Sequence, residues 1–376
     1  MTKLNDLTQL GQSIWYDNIR RALIESGDLQ ELFEAGVRGV TSNPSIFEKA
    51  ITGSTDYDEH LQQLVAEGKT VQEIYEALVL QDIQRAADLA RPIYEESDGL
   101  DGYVSLEVNP TLAHDTEATI AEARRLYARL DRPNVMIKVP ATEAGIPAIR
   151  TLTADGINVN VTLLFAVDNY EQVANAYIQG LEARAARGDD VSNVASVASF
   201  FVSRIDVRVD EKLAAIDNRT IQGKVAIANA RVAYERFGRI FSGRRWQRLA
   251  AKGASVQRVL WASTSTKNPD FPDTLYVDAL IGPHTVNTLP PATLDAFRDH
   301  GTVARTLDAN LPEAHEKLRQ LETLDIDLDQ ITAELQEDGV QAFADSFNSL
   351  LAAIAEKCER LQAAPEPVRA ADGAPA

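Results

Sequence analysis

The sequence has little cysteine, no long apolar run and a shortage of positive charge. Its single cysteine, Cys358, excludes an internal disulfide. The first residues, MTKLNDLTQLGQ, are polar and charged where a signal peptide needs an apolar stretch. No apolar run approaches the roughly 18 residues that a membrane span requires. Together these absences predict a cytoplasmic protein that does not bind membranes.

Acidic residues outnumber basic ones by 56 to 37, which gives a formal net charge of −19. A surface of this charge disfavours contact with nucleic acid phosphates, so no nucleic acid partner is expected. An anionic substrate would need a local basic pocket. The chain is 376 residues long and 45% apolar, which is typical of a folded protein with one large domain or two modest ones. The oligomeric state stays open between monomer and homodimer.

Several motifs of known chemistry are missing as well. The five histidines lie far apart, without the spacing of a metal site. The sequence contains no GxSxG elbow and no glycine-rich nucleotide-binding loop. We therefore expect no metal, no cofactor and no acyl transfer by serine or cysteine.

What the sequence does contain is an alternation of short β-branched runs with longer amphipathic stretches, the pattern of parallel βα units. A doubly wound sheet is the alternative, but the first predicted βα turn has no glycine to support it. Eight strand signals predict an α/β fold, a (β/α)₈ barrel with additional C-terminal helices packed on it. The predicted strands are residues 13–16, 37–41, 102–108, 135–139, 158–164, 197–202, 258–263 and 276–281.

The predicted barrel occupies residues 1–300, and residues 301–363 form a helical extension of the same domain. Residues 364–376 are rich in proline and alanine and are predicted to be a disordered tail. The apolar helical face of residues 340–354 supports the helical extension. The predicted helices of the barrel are 17–35, 71–96, 116–130, 143–152, 168–187, 207–249 with a break near Gly223, and a short one from Leu289.

In such a barrel, catalytic groups lie at the carboxyl ends of the strands. Lys138 is the most informative candidate, because it stands within the apolar strand VMIKVP. Burial disfavours the ammonium form, and the neutral amine is the form that attacks a carbonyl. A lysine that reaches solvent or pairs with a carboxylate would explain this residue equally well. The candidates that would share its opening are Asp17, Asn43, Glu107, Asn160, Thr162 and Ser199.

Taken singly, each of these residues has a more common structural explanation. Asp17 is expected to cap the helix that begins at the next residue, and Glu107 to pair with an arginine. Asn43 before a proline is consistent with a plain turn. The combination of an amine, two carboxylic acids and neutral hydrogen-bonding groups is what a Schiff-base site requires. A catalytically inactive barrel that binds a protein partner is the alternative from another class.

A phosphate site is predicted at the rim formed by the sixth and seventh strands. Arg204 follows the sixth strand, and Ser265 and Lys267 follow the seventh. Barrels frequently bind phosphate near the last strands, and two cations in an acidic protein would serve an anionic sugar. The alternative is that Arg204 pairs with Asp206 or Asp210 while Lys267 is solvated.

Five separated motifs resemble the signature stretches of the transaldolase family and occur in the family's order. They are VTSNPSIF, VSLEVNP, VMIKVPAT, GINVNVTLLF and ASFFVSRID, and the resemblance extends from Asp17 to about residue 290. It implies transfer of a dihydroxyacetone unit: sedoheptulose 7-phosphate and glyceraldehyde 3-phosphate give erythrose 4-phosphate and fructose 6-phosphate. It also implies a place in the non-oxidative pentose phosphate pathway and no cofactor.

The resemblance implies the following role for each candidate. Lys138 would form the Schiff base, and Asp17 would exchange the proton of the C4 hydroxyl. Glu107 would move protons through a water held by Thr162. The substrate hydroxyls would be bound by Asn43 and Asn160 with support from Ser199, and the phosphate by Arg204, Ser265 and Lys267.

A few further positions bear on the reaction type and the phosphate contact. Related aldolases that release free dihydroxyacetone tend to have tyrosine where this sequence has Phe201, so phenylalanine favours transfer. A class I fructose-6-phosphate aldolase remains the alternative. The family commonly has arginine in place of Lys267, and either Ser263 or Ser265 matches the phosphate-binding serine.

Overall fold

A computed structural model of the chain describes residues 2–363. Eight parallel strands in this part of the chain close into a barrel in sequence order. The strands are β1 (Gln12–Tyr16), β2 (Gly39–Val40), β3 (Tyr103–Glu107), β4 (Val135–Pro140), β5 (Val159–Leu164), β6 (Ser196–Phe201), β7 (Arg258–Ala262) and β8 (Thr285–Leu289).

Helices surround the barrel and form most of the segments that connect its strands. They are α1 (Lys3–Gln9), α2 (Arg21–Glu25), α3 (Asp28–Glu34), α4 (Pro44–Thr52), α5 (Asp58–Ala66), α6 (Val71–Glu96), α7 (Thr116–Leu130), α8 (Gly145–Asp155), α9 (Val167–Ala186), α10 (Ser203–Ala215), α11 (Val225–Ile240), α12 (Arg244–Ala250), α13 (Leu275–Ala279), α14 (Pro291–His300), α15 (Leu311–Thr323) and α16 (Leu328–Ala363). A short 3₁₀ helix spans Pro110–Leu112. None of the helices in residues 2–363 has the length and apolar character that crossing a membrane needs.

The strands form a closed barrel because most of their side chains are apolar or β-branched and every one is buried. β1 pairs with β8 from Gln12↔Thr285 to Tyr16↔Leu289, which closes the ring. The predicted (β/α)₈ barrel is therefore confirmed. Because the strands are parallel and adjacent, their carboxyl ends meet at one mouth.

The opposite, amino-terminal end of the barrel is sealed by a buried ion pair. Arg258 lies 3.0 Å from the Asp101 carboxylate, and both side chains are almost fully buried. Ser13 on β1 donates to the same carboxylate at 2.7 Å. The two charges of the pair balance each other, and catalytic groups in such barrels lie at the opposite mouth, so we assign this polar cluster a structural role.

The prediction for the eighth strand was wrong. Residues 276–281 were predicted as a strand, but helix α13 occupies Leu275–Ala279, and β8 follows at Thr285–Leu289. A short apolar run does not distinguish a strand from a buried helical turn. Here Tyr276 and Val277 are both buried, and the Tyr276 hydroxyl donates to Asp206 at 2.9 Å. The contact favours the helical turn.

Two predicted helices are divided. Residues 17–35 hold α2 and α3, because Gly27 between them has φ +91°, a left-handed conformation that ends the first helix. The predicted break at Gly223 is confirmed by its φ of +67°. The stretch 207–249 contains a further break before α12, where Gly243 precedes the helix.

The C-terminal stretch forms α15 and α16, and both pack on the barrel. Side chains of α16, among them Val340, Leu350 and Ile354, belong to the same apolar core as the strands. A shared core agrees with treating 301–363 as part of the barrel domain, and that division stays a prediction. The predicted disordered tail, 364–376, lies outside the described residues.

Candidate active site

A cavity of about 610 Å³ opens at the carboxyl ends of the strands. It brings together most of the residues predicted from the sequence. Glu107 and Asn160 are buried beneath it and do not line it. The predicted residues that line it are Asp17, Asn43, Lys138, Thr162, Ser199, Phe201, Arg204, Ser265 and Lys267.

Lys138 lies on β4 and is only 5% exposed, so it does not extend to solvent. Its Nζ donates to the Ser42 carbonyl oxygen at 2.9 Å and lies 3.4 Å from Glu107 Oε2. The alternative explanation, in which Lys138 pairs with a carboxylate, is thus partly correct, and Glu107 provides that carboxylate. Lys138 nevertheless also lines the cavity, so the Lys138–Glu107 pair lies at the candidate site.

Neighbouring strands bring Glu107, Lys138 and Asn160 into one row. Glu107 on β3 pairs in register with Lys138, which pairs with Asn160 on β5. Burial raises the pKa of Glu107, and the Lys138 charge partly offsets that rise. Within residues 2–363 the charged partner of Glu107 is Lys138 and not an arginine, so that structural explanation was wrong. A carboxyl group with a raised pKa beside an amine can accept and return protons.

Asp17 does not cap a helix, as the structural alternative predicted. Helix α2 begins at Arg21, and Asp17 follows the last residue of β1. Its backbone N–H donates to the Leu289 carbonyl oxygen at 2.9 Å, which fixes it to β8. Desolvation raises the pKa of Asp17, while the charges of Lys138 and Lys267 lower it. The carboxyl group is therefore placed to exchange a proton inside the cavity.

The neutral polar side chains of the site differ in how many hydrogen bonds they already make. The Asn160 amide makes two of the four hydrogen bonds open to it, because it donates to Ser105 at 3.0 Å and accepts from Ser199 at 2.7 Å. Asn43 caps α4 by accepting from Ile46 N–H at 3.0 Å, so the plain-turn alternative was wrong. Within residues 2–363, the buried Thr162 hydroxyl has no hydrogen-bond partner. That hydroxyl is available to a water or a substrate.

Arg204 and Lys267 form a cationic pair across the cavity. Burial lowers the pKa of Lys267, and repulsion by Arg204 lowers it further. Lys267 Nζ donates to Ser265 Oγ at 2.7 Å, and the Arg204 guanidinium lies 5.4 Å from the centroid of Phe201. Ser263 also lines the cavity, with its hydroxyl 3.0 Å from that of Ser203. Two partly desolvated cations without a shared carboxylate favour binding of an anion.

The alternative pairing of Arg204 with Asp206 or Asp210 is not found. Asp206 accepts from Ala226 N–H at 2.7 Å and from the Tyr276 hydroxyl. Asp210 accepts from Gly223 N–H at 3.1 Å. Both carboxylates are thereby directed away from the cavity, which leaves the guanidinium free for a ligand.

Among the further lining residues that were not predicted as site residues, three bear on ligand binding. Arg20 and Lys49 add positive charge to the rim, and Phe343 enters from α16. Arg20 stands three residues after Asp17, but the predicted helix 17–35 covered this position, so it was not counted as part of the strand end. Phe343 was noted only as part of an apolar helical face, since periodicity does not separate a core residue from one that lines a cavity.

Another cavity, of about 520 Å³, lies between α11 and the start of α16. Its lining is rich in carboxylates, which repel an anionic sugar. The mouth of the barrel therefore remains the site that suits a phosphorylated substrate. The acidic lining residues are Asp168, Glu322, Asp325, Asp327 and Asp329.

The fold and this site define a class: (β/α)₈ barrels with a buried lysine, neighbouring carboxyl groups and an anion-binding rim at the mouth. The family model described as "Transaldolase/Fructose-6-phosphate aldolase" matches residues 14–354. The chain belongs to this family.

Curated relatives match over nearly the whole chain. A protein named "Transaldolase" from Trichodesmium erythraeum is 50% identical over 372 residues, covering 95% of this chain and 98% of the relative. "Transaldolase 2" from a Nostoc species is also 50% identical, with the same coverage. "Transaldolase" from a Parafrankia species is 52% identical over 359 residues, covering 94% of this chain and 97% of the relative.

Proposed function

We propose that the chain is a transaldolase that moves a dihydroxyacetone unit from a ketose phosphate to an aldose phosphate through a Schiff base on Lys138. One observation carries the residue assignment: a buried amine shares one cavity with Asp17 and with the cations Arg204 and Lys267. Relatives named transaldolase, about half identical in sequence over the full length, support the activity. The reaction belongs to the non-oxidative pentose phosphate pathway.

The first step joins the amine to the substrate. The neutral Lys138 amine adds to the C2 carbonyl carbon of the ketose, and the carbonyl oxygen takes up a proton to give a carbinolamine. Glu107, 3.4 Å from the amine, supplies the proton that lets the hydroxyl leave as water. A water bound to the Thr162 hydroxyl would carry this proton. The product is a protonated imine.

Asp17 then carries out cleavage. Its carboxylate takes the proton of the C4 hydroxyl, and the C3–C4 bond breaks. The electron pair of that bond moves toward the imine nitrogen and converts the imine to an enamine. The aldose phosphate leaves. An acceptor aldehyde reverses the step: enamine carbon C3 attacks the aldehyde carbon, and Asp17 returns its proton to the new hydroxyl. Hydrolysis of the resulting imine frees the new ketose and restores the Lys138 amine.

A coupled assay tests the proposed function. With fructose 6-phosphate and erythrose 4-phosphate, a transaldolase forms sedoheptulose 7-phosphate and glyceraldehyde 3-phosphate. A fructose-6-phosphate aldolase would instead release free dihydroxyacetone when no acceptor is added. Formation of the seven-carbon product supports transfer. Dihydroxyacetone as the main product would show an aldolase. If neither reaction gives a product, the proposal is refuted.

Removing the arginine of the cationic pair is expected to weaken phosphate binding. Arg204→Leu should raise KM for fructose 6-phosphate about 10- to 100-fold, because a charged hydrogen bond to phosphate is lost. KM for unphosphorylated fructose should change little. Arg208→Leu is the matched control, since Arg208 lies on the same helix and pairs with Asp338. Equal losses for both sugars would contradict the phosphate assignment.

The lowered pKa of Lys267 predicts a change of affinity with pH. Lys267 loses its charge at a lower pH than an ordinary lysine, so KM for sugar phosphates should rise as the solution becomes alkaline. Lys267→Arg keeps the charge and should move that rise to higher pH. Initial rates from pH 7 to 10 measure the effect. An unchanged alkaline limb in Lys267→Arg would show that another group causes it.

A further inference from the structure

Helix α16, from the C-terminal stretch, lies across part of the barrel mouth and is fixed at several points. Near its start, Gln336 Nε2 donates to the carbonyl oxygens of Ala141 and Leu163, at 3.1 and 3.0 Å. Further along, the Ser346 hydroxyl lies 2.7 Å from that of Ser45. These contacts reach the residue after β4, the carboxyl end of β5 and the first turn of α4. The part of the helix between them is therefore held over the Lys138 side of the mouth.

Phe343 is the side chain that this part of the helix directs into the cavity. It lines the cavity, is 7% exposed, and its ring centroid lies 5.8 Å from Lys138 Nζ. One turn earlier, Gly339 packs on Leu163, where a Cβ atom would come within 2.8 Å of Cδ2. One turn later, Phe347 meets Tyr75 edge-on at 5.2 Å. The ring is thus held between two fixed turns of the helix.

Shielding of the Lys138 amine from water matters because the reaction intermediate can follow two routes. After cleavage, Lys138 holds dihydroxyacetone as an enamine. Attack on an acceptor gives transfer. If C3 takes a proton instead, the imine adds water at C2, the C–N bond breaks, and free dihydroxyacetone leaves with the Lys138 amine restored. A side chain that keeps bulk water from C2 therefore favours transfer.

We propose that Phe343 determines reaction specificity by covering the Lys138 intermediate and keeping it from hydrolysis. The inference rests on the proposed function. Phe201 lines another wall of the same cavity, on β6, so the two rings enclose the intermediate from different elements. The ring face toward the nitrogen also stabilises the cationic imine. The C-terminal helix thereby contributes to the active site of the barrel.

The test compares how each variant partitions the intermediate. Free dihydroxyacetone and sedoheptulose 7-phosphate are measured together, with fructose 6-phosphate as donor and erythrose 4-phosphate as acceptor. Phe343→Ala is expected to raise the ratio of released to transferred dihydroxyacetone about tenfold. Phe343→Leu keeps apolar cover and should raise it only about threefold, so a graded response remains measurable if the alanine variant does not fold.

Phe347→Ala is the matched control. Phe347 lies four residues further along α16, is buried to a similar degree and does not line the cavity. Its truncation leaves Phe343 in place and anchored on the other side, by Gly339 against Leu163 and by Gln336, so the product ratio should rise much less than in Phe343→Ala. A wild-type ratio in both Phe343 variants, or an equal rise in Phe347→Ala, would overturn the inference alone. Absence of transfer by the wild-type protein would instead overturn the proposed function, and the inference with it.

Discussion

Borohydride reduction in the presence of fructose 6-phosphate is expected to attach a three-carbon group to Lys138, and Lys138→Ala to abolish both this adduct and transfer. Lys138 is the proposed nucleophile, because its Nζ lines the cavity and lies 3.4 Å from Glu107 Oε2. Loss of a covalent nucleophile lowers kcat by about 10⁴- to 10⁶-fold. Mass spectrometry of the reduced protein, with peptide mapping, locates the adduct.

Lys357 provides a matched control for this experiment. It is a buried lysine whose Nζ also donates to backbone carbonyl oxygens, those of Ile51 and Ser54, and it pairs with Asp58. It lies outside the active-site cavity. Lys357→Met should keep the adduct on Lys138 and retain transfer in whatever fraction folds. An adduct on any other residue, or one that persists in Lys138→Ala, would refute the Schiff-base assignment.

Asp17→Asn is expected to separate Schiff-base formation from cleavage. The amide fills the same space but cannot take the C4 hydroxyl proton, so turnover should fall about 10²- to 10⁴-fold. The substrate should still be trapped on Lys138, now as the intact six-carbon adduct. Glu107→Gln should give the opposite result, with slow formation of any adduct. Rapid-quench trapping followed by mass analysis distinguishes the two.

The pH dependence of cleavage follows from the same carboxyl group. Desolvation raises the pKa of Asp17, so it becomes protonated, and inactive as a base, at a pH above the usual range for aspartate. Raising pH through that value should increase the rate of single-turnover cleavage, and Asp17→Asn should remove this acid limb. A variant that cleaves at the wild-type rate, or that keeps the same limb, would contradict the role given to Asp17.

Much of the site could be predicted because strand-end position is local information. β4 and β5 place Lys138 and Thr162 within apolar segments that are recognisable without any contact partner. The register that aligns Glu107 with Lys138 follows once the strands are taken as neighbours. The eighth strand could not be predicted in this way. Its neighbour α13 is also apolar, and the tertiary contacts of that segment, such as the hydrogen bond from Tyr276 to Asp206, are not visible in a local pattern.

The functional state of single residues depended on their surroundings. Arg204 was as consistent with an ion pair to Asp206 as with a phosphate contact. The structure decides this, because Asp206 accepts instead from Ala226 N–H and Tyr276. Asn160 is a second case: its amide was expected to bind substrate hydroxyls, and it already makes two hydrogen bonds, to Ser105 and from Ser199, so its contact with substrate stays a prediction. Hydrogen-bond partners of this kind come from distant strands, so no local pattern predicts them.

The sequence by itself determined the alternating βα pattern, the acidic character of the chain and the polar residues at the strand ends that carry the chemistry. Only the tertiary structure decided which groups share the cavity, which carboxylates are occupied elsewhere, and that α16 covers Lys138 with Phe343. The physical reason is the separation along the chain of the residues that determine each feature. Strand and helix periodicity arise from neighbours along the chain, whereas a buried face and a cavity wall have the same apolar pattern until packing brings distant segments together.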